Sequence, residues 1–250
     1  MHIFFRAVLM GCFLLATFIL STSSASAVTR TICSSGCDYT TINNAFISEG
    51  TPDTTYQVQS TYNPDAESWP ILFPSASSTL TCGDSATISQ TNPVGDNRLY
   101  LSTSSTVMNC TFGNISLSTS AVGNSGNTEP SGVRVLNNTF SMSATSSIEL
   151  TNGATLFEIR GNNNINFLST RSTTTNGIIQ DNSFFGRMTG QGGGAIFDIS
   201  TATTSQVQIL HNTFVNQIAD PGRSSRMISL KGSDLTFATN TLRFATPHAD

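Results

Sequence analysis

The chain has 250 residues, and only 10% of them are charged, well below the quarter that is typical of soluble proteins. Eleven Lys and Arg side chains stand against 15 Asp and Glu side chains, which gives a formal net charge of −4. Few cations and an acidic balance argue against nucleic acid or an anionic membrane as a partner. Apolar residues still recur at regular intervals, which argues against an intrinsically disordered chain.

Residues 1–27 have the features of a secretory signal peptide. Arg6 supplies the positive start, residues 7–20 form an apolar run, and Ala25-Ser26-Ala27 provides the small residues of a cleavage site. The run has 14 residues, whereas a helix that spans a bilayer needs about 20. Cleavage is therefore favoured over a membrane anchor, and the mature chain is predicted to be secreted and to contain no transmembrane helix.

The segment after the signal peptide is predicted to cover one end of the fold. Thr40-Thr41 can begin a short helix in which Ile42, Ala45 and Phe46 share one face. Stacked coils have an open apolar end that needs such a cover. The predicted organisation is a signal peptide at 1–27, an N-terminal cap at 28–54, coils at 55–244 and a tail at 245–250. The first coils are predicted to contain strands at 56–58, 71–73 and 80–82.

One short sequence motif recurs in the rest of the chain: apolar strand residues are followed by an Asn and, two positions later, by a Phe. Ile209-Leu210-His211-Asn212-Thr213-Phe214 is one copy, and successive copies lie 20 to 30 residues apart. This period is typical of stacked-coil architectures. The predicted Asn ladder consists of Asn138, Asn162, Asn182, Asn212 and Asn240, with Cys110 in the position of an earlier Asn. The predicted aromatic column consists of Phe112, Phe140, Phe184 and Phe214, and Leu242 continues it.

Each copy begins with apolar and polar residues in alternation, which predicts a strand with one face inward. Asn suits the turn that ends this strand, because it tolerates left-handed backbone conformations. Amides stacked in register can also bond one another along the axis, which satisfies polar groups that are costly to bury unpaired. Second strands are predicted at 147–150, 195–199 and 227–230, and Ser/Thr/Gly-rich loops at 118–132, 169–177 and 186–194.

Four cysteines remain when Cys12 leaves with the signal peptide, and an even number in an exported chain predicts disulfides. Cys33 and Cys37 enclose three residues, and Cys82 and Cys110 lie one repeat length of 28 residues apart. The predicted pairs are therefore Cys33–Cys37 and Cys82–Cys110. A zinc site is the alternative, and it is disfavoured because the spacings match no zinc pattern and His is scarce.

The ladder and the aromatic column resemble those of the right-handed parallel β-helix proteins of the pectin-lyase-like superfamily. The resemblance spans about residues 28–244 and is strongest from Val107 onward. It implies an all-β fold, a single-stranded right-handed parallel β-helix (a solenoid) with a short N-terminal capping helix. It implies no particular activity, because this fold is shared by lyases, hydrolases, esterases, adhesins and inert surface proteins.

Two pairs of polar residues occupy outward columns of neighbouring coils and are candidates for catalysis. Arg134 and Glu158 stand four residues before the ladder, where a surface ion pair explains them better than catalysis does. Asp181 and His211 each precede a ladder residue, and an Asp that orients a His is half of a general-base arrangement. The register places no Ser or Cys nucleophile beside them, so a turn-capping Asp next to a surface His is favoured.

Glu149 and Asp198 share another outward column two coils apart, at an expected separation of roughly 10 Å. Glycosidase carboxylates are separated by roughly 5–9.5 Å, so chance explains this pair better. The lyase and polygalacturonase motifs Asp-Asp, Gly-His-Gly and Arg-Ile-Lys are missing, as is any cluster of three acids suited to calcium. No metal or cofactor is expected, and calcium is considered only for a lyase.

The sequence favours a non-catalytic secreted or cell-surface β-helix that binds carbohydrate or another extracellular surface. Low charge and the missing acid clusters support this hypothesis. The alternative is a polysaccharide lyase or glycoside hydrolase acting on uronic-acid polymers, which would need a cleft lined by Asp, Glu and Arg. Ice binding ranks third, because the Thr-rich positions 139, 163, 183, 213 and 241 are expected at a turn and not on a flat face.

Overall fold

The computed structural model shows parallel strands stacked as a β-solenoid, with one short α-helix and one 3-10 helix (Pro64–Ala66) in the part of the chain that it describes. This confirms the predicted fold class. The described residues are 27–74, 77–84, 86–90, 96–119, 130–141, 147–150, 153–170, 173–187, 196–199, 204–217 and 227–244. Residues 1–26 of the predicted signal peptide, the predicted tail 245–250 and most of the predicted loops 118–132 and 186–194 lie outside them. The prediction of a loop at 169–177 is wrong, because Phe167–Thr170 and Thr174–Gln180 are strands.

The first face of the solenoid is a ten-stranded parallel sheet, called sheet 1. Its inward column contains buried aliphatic side chains that stack on one another in register: Leu80, Val107, Val135, Ile159 and Ile179. The strands of sheet 1 are β1 (Val28–Ile32), β2 (Thr54–Val58), β4 (Thr79–Cys82), β7 (Thr106–Met108), β10 (Arg134–Leu136), β13 (Ala154–Thr155), β14 (Glu158–Arg160), β16 (Thr174–Gln180), β19 (Thr204–Leu210) and β22 (Thr236–Ala238).

The second face is a seven-stranded parallel sheet, called sheet 2, and the third face consists of two three-stranded sheets. The strands of sheet 2 are β3 (Ile71–Leu72), β6 (Arg98–Tyr100), β9 (Ser116–Ser118), β12 (Ser147–Leu150), β15 (Phe167–Thr170), β18 (Phe197–Ile199) and β21 (Ile228–Leu230). The strands of the third face are β5 (Thr87–Ser89), β8 (Thr111–Gly113), β11 (Thr139–Phe140), β17 (Ser183–Arg187), β20 (Thr213–Gln217) and β23 (Thr241–Phe244).

An Asn ladder forms the corner between sheet 1 and the third face. Asn182 is 2% exposed, and its Oδ1 accepts hydrogen bonds from the backbone N and the Nδ2 of Asn162, both at 3.0 Å. Its Nδ2 donates to the Ile159 carbonyl at 2.9 Å and to Asn212 Oδ1 at 3.0 Å. The same pattern repeats from Asn138 to Asn240. Buried amides therefore satisfy one another along the axis.

The left-handed residue at this corner is the one before each ladder Asn. Asp181 has φ 57° and His211 has φ 53°, whereas no ladder Asn has a positive φ. The expectation that the ladder Asn itself takes the left-handed conformation is wrong. The preceding residue makes the turn, and this leaves the Asn amide free to point inward and stack. The other left-handed residues of this column are Asn109, Asn137, Gly161 and Thr239.

The aromatic column fills the interior of the third face. Phe184 and Phe214 are fully buried and stack with ring centroids 4.8 Å apart and an interplanar angle of 9°. Phe112 and Phe140 are buried in the same way, with centroids 5.5 Å apart. Ile165, opposite Phe184, fills the turn that lacks a Phe.

The N-terminal end is covered by helix α1 (Ile42–Glu49), as the sequence predicts. Ile42, Ala45 and Phe46 are the buried residues of this helix. The Thr41 side chain caps it by accepting a hydrogen bond from the Asn44 backbone N–H at 3.2 Å. Strand β1 pairs with β2, so the segment predicted as a cap also supplies the first strand of sheet 1.

Both predicted disulfides are present. Cys33 and Cys37 close a short loop between β1 and α1. Cys82, at the end of β4, bonds to Cys110, which follows β7 on the neighbouring strand of sheet 1. The backbone N–H of Cys110 donates to Asn138 Oδ1 at 3.0 Å. The second disulfide therefore continues the axis of the ladder where Asn residues stop.

Candidate functional site

Arg134 and Glu158 lie on the outward face of sheet 1. Arg134 Nε donates to Glu158 Oε2 at 2.9 Å, and Arg160 Nη1 lies 3.4 Å from Glu158 Oε1. Arg160 also donates to Gln180 Oε1 at 3.1 Å. Both guanidinium groups are about half exposed, so the arrangement is a surface chain of ion pairs.

Asp181 and His211 are neighbours at the ladder corner. His211 Nδ1 lies 3.6 Å from Asp181 Oδ1, beyond hydrogen-bonding distance, and the side chains are 54% and 49% exposed. Among the described residues, no hydroxyl or thiol is hydrogen-bonded to His211. No ion pair or hydrogen bond of the described residues joins this pair directly to Arg134 or Glu158, so the four sequence candidates form two pairs.

The outward face of sheet 2 presents a different set of polar residues. Strand alternation places every second residue of a strand outward, and the register stacks these residues on neighbouring strands at roughly 4.8 Å spacing. We call the set from Tyr100 to Asp198 the polar row; it consists of Tyr100, Ser118, Glu149, Ser169 and Asp198, and Ser229 follows Asp198 in the same column. Although the row faces away from the core, Ser118 and Ser169 are at most 3% exposed. The row is therefore a polar strip parallel to the solenoid axis in which Tyr100, Ser118 and Ser169 are buried, whereas Glu149 and Asp198 are partly exposed.

Arg98 contacts two carboxylates, Asp96 and Glu149, of which Glu149 is part of the row. Its Nη1 lies 3.1 Å from Asp96 Oδ1 and its Nη2 lies 3.4 Å from Glu149 Oε2. Glu149 lies two strands away, and Arg98 can reach it because the strand between them presents the small side chains Ser116 and Ser118. The hydroxyl of Tyr100 donates to Asp96 Oδ2. We call Asp96, Arg98, Tyr100 and Glu149 the Arg98 cluster.

The electrostatics of the Arg98 cluster favour hydrogen-bond donation by Tyr100 and Arg98. Burial and the hydrogen bond to Asp96 raise the pKa of Tyr100. Burial lowers the pKa of Arg98, but the attraction of Glu149 and the contacts with Tyr100 and Asp96 outweigh it, so the net shift is upward. At neutral pH Tyr100 is therefore a neutral hydroxyl and Arg98 a cation, and neither is a proton acceptor.

The middle of the polar row, at Glu149, differs in its hydrogen bonding from the end formed by Ser169 and Asp198. Glu149 contacts Arg98 through Oε2, and its Oε1 accepts from the Ser147 hydroxyl at 3.1 Å. Ser169 Oγ and Asp198 Oδ1 are closed off from solvent and have no hydrogen-bond partner among the described residues. Both carboxylate oxygens of Glu149 thus have partners, whereas the Ser169–Asp198 end of the row has unused hydrogen-bonding groups.

Glu149 and Asp198 share an outward column two strands apart, as the sequence predicts. Asp96, Arg98, Tyr100 and Ser169 were not among the sequence candidates. The alternation in Arg98-Leu99-Tyr100-Leu101 is the signal that could have identified an outward Arg and Tyr. The contact between Arg98 and Glu149 spans 51 residues, so only the fold reveals it.

Threonines occupy outward columns on the third face and on sheet 1. Thr213 and Thr241 begin strands β20 and β23 and pair in register, so their expected location in a turn is wrong. A second column on sheet 1 contains Thr29, Thr55, Thr79 and Thr106. This column continues into the ion pair of Arg134 and Glu158, which interrupts the regular hydroxyl surface that ice binding would need.

Within the described part of the chain, no group of three His, Cys, Asp or Glu side chains is arranged to hold a metal ion. Neither of the described helices is long enough to cross a membrane. The stacked parallel sheets define the chain as a parallel β-solenoid repeat protein. Comparison with protein-family models, curated proteins and solved structures finds no match to this chain.

Proposed function

We propose that this protein is an extracellular, non-catalytic β-solenoid of the pectin-lyase-like superfamily that binds an extended carbohydrate along the polar row of sheet 2. The sequence features of a signal peptide and the two disulfides support an extracellular location. The Asn ladder and the aromatic column support the superfamily. The right-handed winding of the solenoid is part of this proposal.

The polar row is the observation on which the binding proposal depends. It offers hydroxyl, carboxylate and phenol groups on five neighbouring strands, repeated at roughly 4.8 Å along the axis, and Arg98 adds a guanidinium group beside it. A linear polysaccharide also presents hydroxyl groups at regular intervals along its length. A strip of polar groups along one axis is suited to such a polymer, because each sugar unit can exchange hydrogen bonds with successive strands.

Catalysis is less well supported than binding. A hydrolase needs two carboxylates that face the same glycosidic bond, whereas Asp96 and Glu149 both face Arg98. A lyase that acts on uronic-acid polymers needs a cation that is free to neutralise the substrate carboxylate. Arg98 already contacts two carboxylates, so its charge is compensated within the protein.

The experiment is a binding and turnover measurement on a panel of soluble polysaccharides, using calorimetry together with product analysis. Replacing Tyr100 by Phe or Ser169 by Ala removes one hydroxyl from the row and should weaken binding to the preferred polymer by roughly 3- to 10-fold, with no product formed. Arg134→Gln is the matched control on sheet 1 and should bind like the wild type. Turnover abolished by Glu149→Gln would instead indicate an enzyme, and no binding to any polymer would contradict the proposal.

A further inference from the structure

We infer that the Ser169–Asp198 end of the polar row binds an amine-bearing sugar unit through its ammonium group and discriminates against uronate. This inference rests on the proposed function, because it specifies the ligand of the same row. It differs from the uronic-acid polymers that the superfamily resemblance suggests as substrates. Three observations support it: the charge of the row, its unused acceptor, and the position of a buried hydroxyl.

The charge of the row is the first observation. Among the described residues, the row and the Arg98 cluster contain three carboxylates, Asp96, Glu149 and Asp198, against the single guanidinium of Arg98. The formal balance is therefore −2. Because Arg98 is placed between Asp96 and Glu149, Asp198 is the carboxylate that it leaves uncompensated. A cationic ligand group is attracted to this end, and an anionic one is repelled.

The unused acceptor is the second observation. Asp198 is partly exposed, and its Oδ1 has no hydrogen-bond partner among the described residues. An ionised carboxylate accepts hydrogen bonds but donates none, so it requires a donor. An ammonium group offers three N–H donors and a compensating charge, whereas a second carboxylate offers neither.

The buried hydroxyl is the third observation. Ser169 is 3% exposed, its Oγ has no partner among the described residues, and it stands directly between Glu149 and Asp198 in the row. Since the two carboxylates are two strand spacings apart, roughly 10 Å, one donor group cannot contact both closely. The Ser169 hydroxyl can accept a hydrogen bond from a group held at Asp198. This places the favoured ammonium position at Ser169 and Asp198, away from Arg98.

The test uses three oligosaccharides of equal length, titrated into the full-length purified protein: chitosan oligomers with protonated amines, N-acetylated chitin oligomers and oligogalacturonate. The expected order of affinity is chitosan, then chitin, then oligogalacturonate. Asp198→Asn keeps the shape of the side chain but removes its charge, and should weaken chitosan binding by roughly 10- to 100-fold while changing chitin binding far less. Asp234→Asn, an exposed acid outside the row, is the matched control and should bind chitosan like the wild type.

The outcomes separate this inference from the proposed function. Oligogalacturonate that binds as tightly as chitosan, with Ser169→Ala weakening it, would overturn the inference and leave carbohydrate binding along the row intact. Equal losses for Asp198→Asn and Asp234→Asn would also overturn it, because they would show a non-specific attraction to an acidic protein. Failure of all three oligomers and of the wider panel to bind would contradict the proposed function itself. Wild-type competition between the oligomers gives the same ranking without any variant.

Discussion

At the scale of single residues, Gly177 allows a core aromatic ring to fill the place of a side chain. A Cβ added at Gly177 would lie 2.0 Å from Cε1 and Cζ of Phe157, which is 2% exposed. Gly177→Ala should therefore lower the free energy of unfolding by about 3 kcal/mol, because Phe157 has no free space to move into. Urea denaturation measures this change.

Gly83→Ala is the matched control for this prediction. A Cβ at Gly83 meets only the Val58 carbonyl oxygen at 3.5 Å and Gln59 Oε1 at 3.6 Å, which are ordinary contacts. This variant should be neutral or gain up to about 1 kcal/mol, since alanine restricts the unfolded chain. If both variants had the same stability, the close packing of Phe157 on Gly177 would be wrong.

The ladder gives a second prediction at this scale. Asn182→Ala removes an acceptor for the Asn162 backbone N–H and a donor for the Ile159 carbonyl, both buried. Each group left unpaired costs about 1–3 kcal/mol, so a loss of about 3–5 kcal/mol is expected. Asn240→Ala, at the partly exposed last position of the ladder, should cost clearly less because water can reach its partners. Equal losses at the two positions would contradict the buried ladder.

The ladder and the aromatic column are predictable from the sequence because the same residue types recur at the same step. A second left-handed column, at the entry to sheet 1, is not predictable, since its members share no side-chain chemistry. Its members are Asp53, Ser77, Ser104, Gly132, Leu156, Asn176, Gln206 and Asp234. The Arg98 cluster was missed for a related reason. It lies in early turns whose irregular spacing does not determine the register, so only the stacked strands show that Arg98 reaches Glu149.

At the scale of elements, helix α1 is attached to the first turn by one carboxylate. Glu67 accepts hydrogen bonds from the backbone N–H groups of Ile42 and Asn43 at the start of the helix. The Tyr62 hydroxyl also donates to it, at 2.8 Å. Burial raises the pKa of Glu67, and these three hydrogen bonds, which favour the charged form, only partly oppose the shift. The folded protein thus holds a proton on Glu67 more tightly than the unfolded chain does.

This shift predicts how stability depends on pH. A raised carboxyl pKa contributes stability that is fully present below the unfolded pKa, about 4.3, and is lost as the pH rises through the higher folded pKa. In Glu67→Gln the amide oxygen of the new side chain can still accept hydrogen bonds, but the side chain cannot titrate. The difference in Tm between the wild type and Glu67→Gln should therefore move in favour of the wild type as the pH falls towards 4. A difference independent of pH, or one of opposite slope, would contradict the buried position of Glu67.

At the scale of the whole molecule, each turn of the solenoid pairs only with its neighbours along the axis. Sheet 1 and sheet 2 follow this order without long-range crossings, so stability is close to a sum over neighbouring turns. The two ends of the described part of the solenoid differ in how far their inner columns are covered. Helix α1 covers the inner columns at the first end, whereas Phe237 and Leu242 at the other are 38% and 47% exposed. Local changes are expected to have local effects, strongest where a covalent bond joins two turns.

The Cys82–Cys110 disulfide provides the test of this local behaviour. It closes a loop of 28 residues between neighbouring turns, and its removal should cost about 3–4 kcal/mol by loop entropy, against about 2 kcal/mol for the four-residue separation of Cys33–Cys37. In hydrogen exchange, the Cys82→Ala/Cys110→Ala variant should lose protection in β4 and β7 while β16 and β19 keep theirs. The Cys33→Ala/Cys37→Ala variant is the control and should affect mainly β1 and α1. Equal loss of protection along the whole chain would show that the turns unfold as one cooperative unit, contrary to nearest-neighbour stacking.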